Sequence, residues 1–383
     1  MLQQKLKWIK ATLKEWHSQH VQNMEGRMRE IKDKMSDLDV KAKSVELQAD
    51  EVSELRGLSF TFHSLARLQN SMNWQKSRLN WLKEGDANSK FFHSYMSLRR
   101  HQNAINVASV DGGTVEGVHN IRTTVFHHFS THFKKVGVDR PSVKGLNFRK
   151  LSCVEAGILT KLFSLEEVKQ AVWDCDSYKS PGPDGISFGF IKEFWNLLKD
   201  DLLRFMVEFH RNGKLTKGLN STFIALIPKV SSPQRLNDFR PISLVGSLYK
   251  VLAKVLANRL RIVIGSVVSE SQSAFVKGKQ ILDGILIANE AVDEARRLNK
   301  ELLLFKVDFE KAYDCVDLNY LDSVMANMNF PTIWRKWIYE CVGTAKASVL
   351  VNGCPTDEFP LECGLRQGDP LSPFLVSVGC RGI

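Results

Sequence analysis

One acidic residue lies where an apolar strand is expected to end. The segment LLFKVDFEKAYDCV, residues 303–316, opens with the apolar residues of a short buried strand and reaches Asp308 at the strand's exit. A buried carboxylate without a partner costs several kcal/mol or more, so a charge in this position needs a cation or a metal ion. The alternative is that Asp308 is only the N-cap of the following helix, because aspartate is favoured there.

Further polar residues follow predicted strands and turns elsewhere in the chain. Lys229 lies at the exit of the strand STFIALIPKV, and Arg240 precedes a proline-initiated segment and a long helix. The loop GLRQGDPLSP, which is rich in glycine and proline, carries Arg366 and Gln367 beside a helix start. Backbone N–H groups at a helix start suit phosphate or sugar contacts, so this loop is a candidate binding segment.

The composition is that of a globular protein with an anionic partner. Of the 383 residues, 43% are hydrophobic and 25% are charged, with a formal net charge of +11. An excess of basic residues favours nucleic acid first and a membrane surface second. The first helix is interrupted by charges and resembles no signal peptide, and no apolar run reaches the length of a membrane span. We therefore expect no membrane association and a location in the nucleus or cytoplasm.

Cysteine and histidine spacings give little support for a metal centre. The seven cysteines form no CxxC pair, which argues against a disulfide framework and a zinc ribbon. His128 and His132 stand four residues apart on a predicted helix and could ligate a metal, but no third ligand is evident.

The first part of the chain is predicted to be helical and basic. Residues 1–56 show a heptad-like apolar pattern with a stutter between Trp16 and Met28, which fits either a coiled-coil partner helix or a helix on the protein's own body. Gly57–Phe62 is expected to break this helix. Residues 63–101 interleave aromatic and basic side chains, which suits single-stranded nucleic acid, although composition alone favours an amphipathic helix with its aromatic residues inward and its cations solvated. The candidate contacts are Lys76, Arg78, Lys83, Arg99 and Arg100.

Local signals define several later elements. A hairpin turning at Asp111–Gly112 and a helix over residues 125–133 precede a linker-like segment. Ser164 and Glu167 have the spacing of a capping box, so a helix begins there. The segment KSPGPDGIS is expected to be a rigid turn, followed by a helix over residues 187–212.

Six ordered blocks together resemble the reverse transcriptase of non-LTR (LINE-type) retrotransposons, in the form common in plants. The blocks are KSPGPDGI, FIALIPK, DFRPISLVGSLYKVLAKVLANRL, QSAFVKGKQILDGILIANE, FKVDFEKAYDCVD and GLRQGDPLSPF. They cover residues 160–375, and NWLKEGDANSKFFH resembles the segment that precedes the polymerase in this family. A group II intron maturase fits the same blocks less well.

The resemblance implies an α/β (α+β) fold, the fingers and partial palm of a right-hand polymerase. The implied domains are a helical linker over 1–56, a basic and aromatic linker over 57–150, fingers over 151–300 and a partial palm over 301–383. The implied partners are an RNA template, a DNA primer and a deoxynucleoside triphosphate. Residues 1–56 could in addition bind a partner helix.

The resemblance also implies roles for single residues. Asp308 matches the catalytic aspartate that binds two Mg²⁺ ions, assisted by the carbonyl of Phe309. Lys229 and Arg240 match the cations that hold the triphosphate, and Tyr313 matches the side chain that stacks on the deoxyribose and excludes a 2′-hydroxyl. Gln367 and Gly368 match the loop that frames nucleotide and template, and Arg366 beside them is a candidate nucleic-acid contact. Asp314 matches a residue usual in these enzymes, without an assigned role.

One expected motif is missing from the sequence. Two-metal catalysis needs more carboxylates than Asp308, and the family supplies them from an aromatic-x-Asp-Asp hairpin after the Gln-Gly loop. The chain's only Asp-Asp pair, Asp200–Asp201, lies upstream in a predicted helix. We therefore expect a truncated copy, without thumb and without polymerase activity, and an alternative function as a nucleic-acid-binding remnant.

Overall fold

A computed structural model describes most of the chain. The described residues are 2–20, 23–77, 89–105, 107–110, 113–135, 137, 143, 145–268, 280–303 and 312–379. They divide into an N-terminal unit, Gln3–Ala104, and a C-terminal unit, Ile105–Ile383. Each unit has its own internal packing and is described separately.

The N-terminal unit is built from helices. They are α1 (Leu2–His20), α2 (Met24–Ala42), α3 (Ala49–Ser77) and α4 (Ser89–Asn103). Helices α2 and α3 pack against each other, with Gln69 Nε2 donating to Glu25 Oε1 over 3.3 Å and an ion pair between Lys41 and Glu51.

The predicted single helix over residues 1–56 is wrong in its continuity. Asn23 has a φ of +58°, which ends regular helix geometry between α1 and α2. The expected break at Gly57–Phe62 is also wrong, because α3 continues through it. A helix tolerates one glycine at a cost of about 1 kcal/mol, and the flanking residues of α3 are sufficient to keep the helix continuous across Gly57.

The C-terminal unit combines helices with a mixed sheet. Its strands are β1 (Val107–Val110), β2 (Gly113–Glu116), β3 (Ser221–Pro228), β4 (Phe239–Val245), β5 (Lys346–Val351), β6 (Cys354–Pro355) and β7 (Phe359–Pro360). Its helices are α5 (Val118–His132), α6 (Cys153–Thr160), α7 (Leu165–Trp173), α8 (Phe188–Glu193), α9 (Trp195–Asn212), α10 (Ser247–Val267), α11 (Ile281–Arg297), α12 (Leu318–Asn327), α13 (Thr332–Gly343) and α14 (Ser372–Gly379). A 3₁₀ turn, Leu236–Asp238, joins β3 to β4. The expected α/β class is confirmed in this form, a helix-rich fold around a mixed sheet.

The main sheet has the order β4-β3-β5-β6, with β7 also paired to β5. Strand β3 is antiparallel to β4 and parallel to β5, and β5 is antiparallel to β6 and β7. Helix α5 packs on β5, and its Val125 and Phe129 join the same buried core as Ala347 and Val349. The expected boundary near residue 150 therefore moves to residue 105, because α5 contributes to the core of the sheet.

Local signals located several elements correctly. Ser164 and Glu167 form the expected capping box of α7. Val110 pairs with Gly113, as a two-residue hairpin turn requires. The predicted helix over residues 187–212 is divided at Phe194, where α8 ends and α9 begins. The predicted strand before Asp308 lies outside the described residues from position 304 onward.

Two general expectations concern cysteines and membranes. In the described part of the chain the cysteines are free thiols, and burial raises the pKa of the Cys341 thiol, which stays protonated. No helix among the described residues has the length and apolar character needed to cross a bilayer.

A buried arginine joins α10 to α6 and α7. Arg259 is 1% exposed, and its guanidinium donates to both carboxylate oxygens of Glu167, from Nε over 3.0 Å and from Nη2 over 2.9 Å. It also donates to the carbonyls of Leu159, Lys161 and Leu162 over 2.7–3.0 Å. All five N–H donors of the side chain are thereby used.

This arrangement predicts acid sensitivity. Burial raises the pKa of the Glu167 carboxyl, but hydrogen bonds from Arg259 and Ser164 and the charges of Arg259 and Lys161 outweigh burial and lower it below its ordinary value of 4.5. A lowered folded-state pKa stabilises the protein above the unfolded-state pKa, and this contribution is lost as pH falls through the folded-state value. The free energy of unfolding, measured with denaturant, should therefore fall less for Glu167→Gln than for the wild type between pH 6 and pH 3. A matching change in the exposed control Glu193→Gln would contradict this assignment.

Candidate nucleotide-binding site

A cavity of about 270 Å³ lies beside the β3–β4 end of the sheet. Its lining comes from α5, from the β3–β4 connection, from the turn after residue 311 and from the loop before α14. The lining residues are His128, Phe129, His132, Lys229, Leu236, Asn237, Phe239, Arg240, Pro241, Ala312, Tyr313, Asp314 and Gln367. Four predicted nucleotide-binding residues, Lys229, Arg240, Tyr313 and Gln367, therefore line one cavity although 138 positions separate the first from the last.

The two cations are presented by adjacent antiparallel strands. Arg240 on β4 pairs with Ile227 on β3, and Lys229 follows the end of β3. The Lys229 backbone N–H donates to the Asp238 carbonyl over 2.7 Å, and its Nζ donates to the Asn237 carbonyl over 2.9 Å. Both side chains are exposed at the cavity. The hairpin thus concentrates positive charge where an anionic group can approach.

Tyr313 and Gln367 also line the cavity, and Gly368 follows Gln367 in the same loop without lining it. The Tyr313 carbonyl accepts the Leu365 N–H over 2.7 Å, and burial raises the pKa of the half-buried Tyr313 phenol. Strand β4 lies at the end of the strand order, and the N–H of its Ser243 donates to the Gln367 carbonyl over 2.7 Å. Gly368 has a φ of +108°, and a Cβ there would lie 2.8 Å from the Ser243 carbonyl oxygen. The loop therefore lies against β4 at a distance that only glycine permits.

Arg366 has a structural environment that does not fit its predicted contact with nucleic acid. It is 5% exposed and pairs with Asp369 over 2.8 Å, while donating to Asn220 Oδ1 over 2.8 Å and to the Cys341 carbonyl over 3.0 Å. Its guanidinium also lies 4.2 Å from the ring centre of Tyr249. Enclosed in this way, Arg366 positions the loop and cannot reach a phosphate.

The predicted metal ligands Asp308 and Phe309 lie outside the described residues. Within the described ranges, no group of three or more His, Cys, Asp and Glu side chains could hold a metal ion, and this includes His128 and His132. Among the described residues that line the cavity, Asp314 is the one carboxylate, and it is paired with His132. Because Mg²⁺ prefers several oxygen ligands, these cavity residues do not form a magnesium site by themselves.

The predicted contacts in residues 63–101 belong to the N-terminal unit. Lys76 on α3 and Arg100 on α4 are exposed. Arg99 lies 5.1 Å from the ring centre of Tyr95, and its Nη1 donates to the Ser77 carbonyl over 3.1 Å. Arg78 and Lys83 lie outside the part of the chain that the structure describes.

Sequence reasoning missed two contributions to the cavity and one contact elsewhere in the C-terminal unit. His128 and His132 were considered only as metal ligands, and Asp314 had no role. Asp184, in the predicted rigid turn, accepts from the N–H of Ser247 over 2.5 Å and from its hydroxyl over 2.6 Å, which caps α10 from 63 residues away. An i, i+4 histidine pair beside buried phenylalanines signals a helix face near the core, but not which cavity that face meets.

Comparison with known proteins relates part of the chain to an enzyme family. Residues 227–380 match the family described as reverse transcriptase (RNA-dependent DNA polymerase). The chain is 27% identical over 311 residues to the transposon TX1 uncharacterized 149 kDa protein of Xenopus laevis, covering 79% of this chain and 23% of that protein.

Two fly proteins are similar over a shorter range. The Pol polyprotein from the type-2 retrotransposable element R2DM of Drosophila melanogaster is 26% identical, covering 56% of this chain and 20% of that protein. The RNA-directed DNA polymerase from mobile element jockey of Drosophila funebris is 27% identical, covering 56% and 24%. The chain thus spans about a fifth to a quarter of the length of these relatives.

Proposed function

We propose that this chain, whose residues 227–380 are a reverse transcriptase domain of the kind found in non-LTR retrotransposons, binds a deoxynucleoside triphosphate in the cavity beside β3 and β4. The observation that carries the proposal is the convergence of Lys229, Arg240, Tyr313 and Gln367 on that cavity. The four come from three separate segments, the β3–β4 hairpin, the turn after residue 311 and the loop before α14, and the resemblance assigns each of them to the nucleotide.

The side chains suit different parts of the nucleotide. Lys229 and Arg240 would bind the triphosphate, since a guanidinium pairs with phosphate through two parallel hydrogen bonds and an ammonium acts as a point charge. Tyr313 would stack on the deoxyribose. Gln367 and Gly368 would frame the base and the template.

The remaining parts of the family's machinery are proposed on the resemblance alone. Reverse transcriptases use divalent metal ions and bind an RNA template and a primer. Asp308 and the carbonyl of Phe309 would hold Mg²⁺, which supplies charge neutralisation at the transferring phosphate. In this assignment β3 and β4 with the helices before them are the fingers, and the segment around Asp308 with β5 is the palm. RNA-directed DNA synthesis is proposed for the longer proteins that this chain resembles.

Exposed cations of the N-terminal unit suggest where RNA would bind. Lys76 and Arg100 are solvent-exposed, and the chain carries a net charge of +11. We infer that α3 and α4 add phosphate contacts, which weaken as salt rises because binding releases counterions from the nucleic acid.

Nucleotide binding can be tested with the chain as it stands. Arg240→Ala should weaken dGTP binding, measured by titration calorimetry, by about 10- to 100-fold, because a charge-assisted hydrogen bond contributes roughly 1.5–3 kcal/mol. Lys229→Ala should weaken it less, since one ammonium makes fewer fixed contacts. The controls Arg235→Ala and Lys217→Ala remove exposed cations that do not line the cavity. Equal losses in the controls, or no loss at Arg240, would contradict the site.

A further inference from the structure

A histidine from outside the matched family segment reaches the proposed nucleotide site. His132 is the last residue of α5, and its Nε2 lies 3.2 Å from Oδ2 of Asp314. Both side chains are largely enclosed, at 24% and 17% exposure, and both line the cavity that also contains Tyr313. The contact joins residues 182 positions apart, next to the side chain assigned to the sugar.

The helix end that carries His132 has a defined position. Phe129 and Phe133 on either side of it are 3% and 5% exposed and belong to the core under the sheet. The Phe133 carbonyl accepts the N–H groups of Glu362 over 3.0 Å and of Cys363 over 3.2 Å. His132 therefore projects from a rigid support that also contacts the start of the Gln367 loop.

The turn that carries Tyr313 is also held by backbone contacts. The Gly364 N–H donates to the Val316 carbonyl over 2.8 Å, and the Leu365 N–H donates to the Tyr313 carbonyl over 2.7 Å. A Cβ at position 364, where φ is +77°, would lie 2.8 Å from the Asp314 carbonyl oxygen. These contacts fix the main chain at residues 313–316, and the His132 imidazole fixes the Asp314 side chain.

We propose that His132 is a positioning residue of the nucleotide site, which holds the Tyr313 turn through Asp314 and thereby sets the discrimination between deoxyribose and ribose. The inference rests on the proposed function, because it assigns Tyr313 to the sugar. The imidazole contacts the carboxylate, and the two backbone hydrogen bonds hold the same turn. Without His132 the turn keeps its backbone contacts but loses the side-chain contact at Asp314. The Tyr313 ring can then move away from a 2′-hydroxyl.

The test compares binding of dGTP and GTP, in the presence of MgCl₂, by titration calorimetry on the full chain. His132→Ala should reduce the dGTP-to-GTP affinity ratio by about fivefold, as expected for loss of one partly exposed polar contact. His132→Gln keeps an N–H donor at this position and should stay within about twofold of the wild-type ratio. His127→Ala, an exposed histidine on the same helix, should leave the ratio unchanged.

A second variant keeps the test decisive if His132→Ala unfolds. Asp314→Ala removes the other partner, and the double variant should show no further fall in the ratio, since both changes break one interaction. An unchanged ratio in His132→Ala or Asp314→Ala, or equal loss of both affinities, overturns the positioning role and leaves the nucleotide site intact. Absence of nucleotide binding by the wild type overturns the proposed function and this inference together.

Discussion

Arg259→Ala should lower the free energy of unfolding by about 3–5 kcal/mol, because removing one partner leaves buried polar groups uncompensated. The Glu167 carboxylate would lose two hydrogen bonds, and three backbone carbonyls of the α6–α7 connection would lose their donor. The aromatic contact with Phe163, 4.3 Å from the guanidinium carbon, would be lost as well. Urea unfolding followed by circular dichroism measures this loss.

Two further variants separate charge from geometry at this position. Arg259→Lys should lose nearly as much unfolding free energy as Arg259→Ala, since an ammonium cannot replace a planar group that donates five hydrogen bonds. Arg261→Ala, an exposed arginine on the same helix, should change stability by less than about 1 kcal/mol. Similar losses at positions 259 and 261 would show that the buried network does not hold α6 and α7 to α10.

The second large effect is expected at Asp369. This side chain is 3% exposed, pairs with Arg366 over 2.8 Å and accepts the Tyr249 hydroxyl over 2.6 Å. Asp369→Ala would leave a buried guanidinium without its counter-charge, so the unfolding free energy should fall by about 3–5 kcal/mol. In the sequence, Gln367 lies between Arg366 and Asp369, so loss of the ion pair should also displace Gln367. The affinity for dGTP should therefore fall together with stability.

The matched variants test whether charge is the cause. Asp369→Asn keeps the shape and one acceptor, and should lose part of the stability because the guanidinium keeps a hydrogen bond but not a counter-charge. Asp357→Ala removes an exposed aspartate of the same unit and should have an effect below about 0.5 kcal/mol. If Asp369→Ala has the same midpoint denaturant concentration as the wild type, the ion pair does not stabilise Arg366. The assignment of Arg366 as a structural residue then fails.

Some features could be predicted because their causes lie close together in the chain. The capping box of α7 depends on residues three positions apart, and the β1–β2 hairpin depends on a two-residue turn. Lys229 and Arg240 lie in blocks that resemble the family's sequence, and their assignment to the triphosphate stays a prediction; the hairpin that brings them together is local.

Other predictions failed where packing outweighs local preference. Arg366 was a candidate nucleic-acid contact because it lies in the GLRQGDPLSP loop beside Gln367, but Asp369 of the same loop and the distant residues Tyr249 and Asn220 enclose it. Gly57 looked like a helix end, but α3 continues through it because a single glycine costs less than the helix gains. Helix α5 looked like part of a linker, although its apolar face covers β5.

The sequence by itself indicated the resemblance to a reverse transcriptase, the candidate nucleotide residues and most local elements, since hydrogen bonds and turns act over a few residues. Only the tertiary structure decided that Lys229, Arg240, Tyr313 and Gln367 share one cavity and that His132 and Asp314 lie in it. It likewise decided that Arg259 and Arg366 are buried. The reason is physical: such contacts join residues up to 182 positions apart, and packing of the whole core, rather than any local pattern, selects which side chains meet.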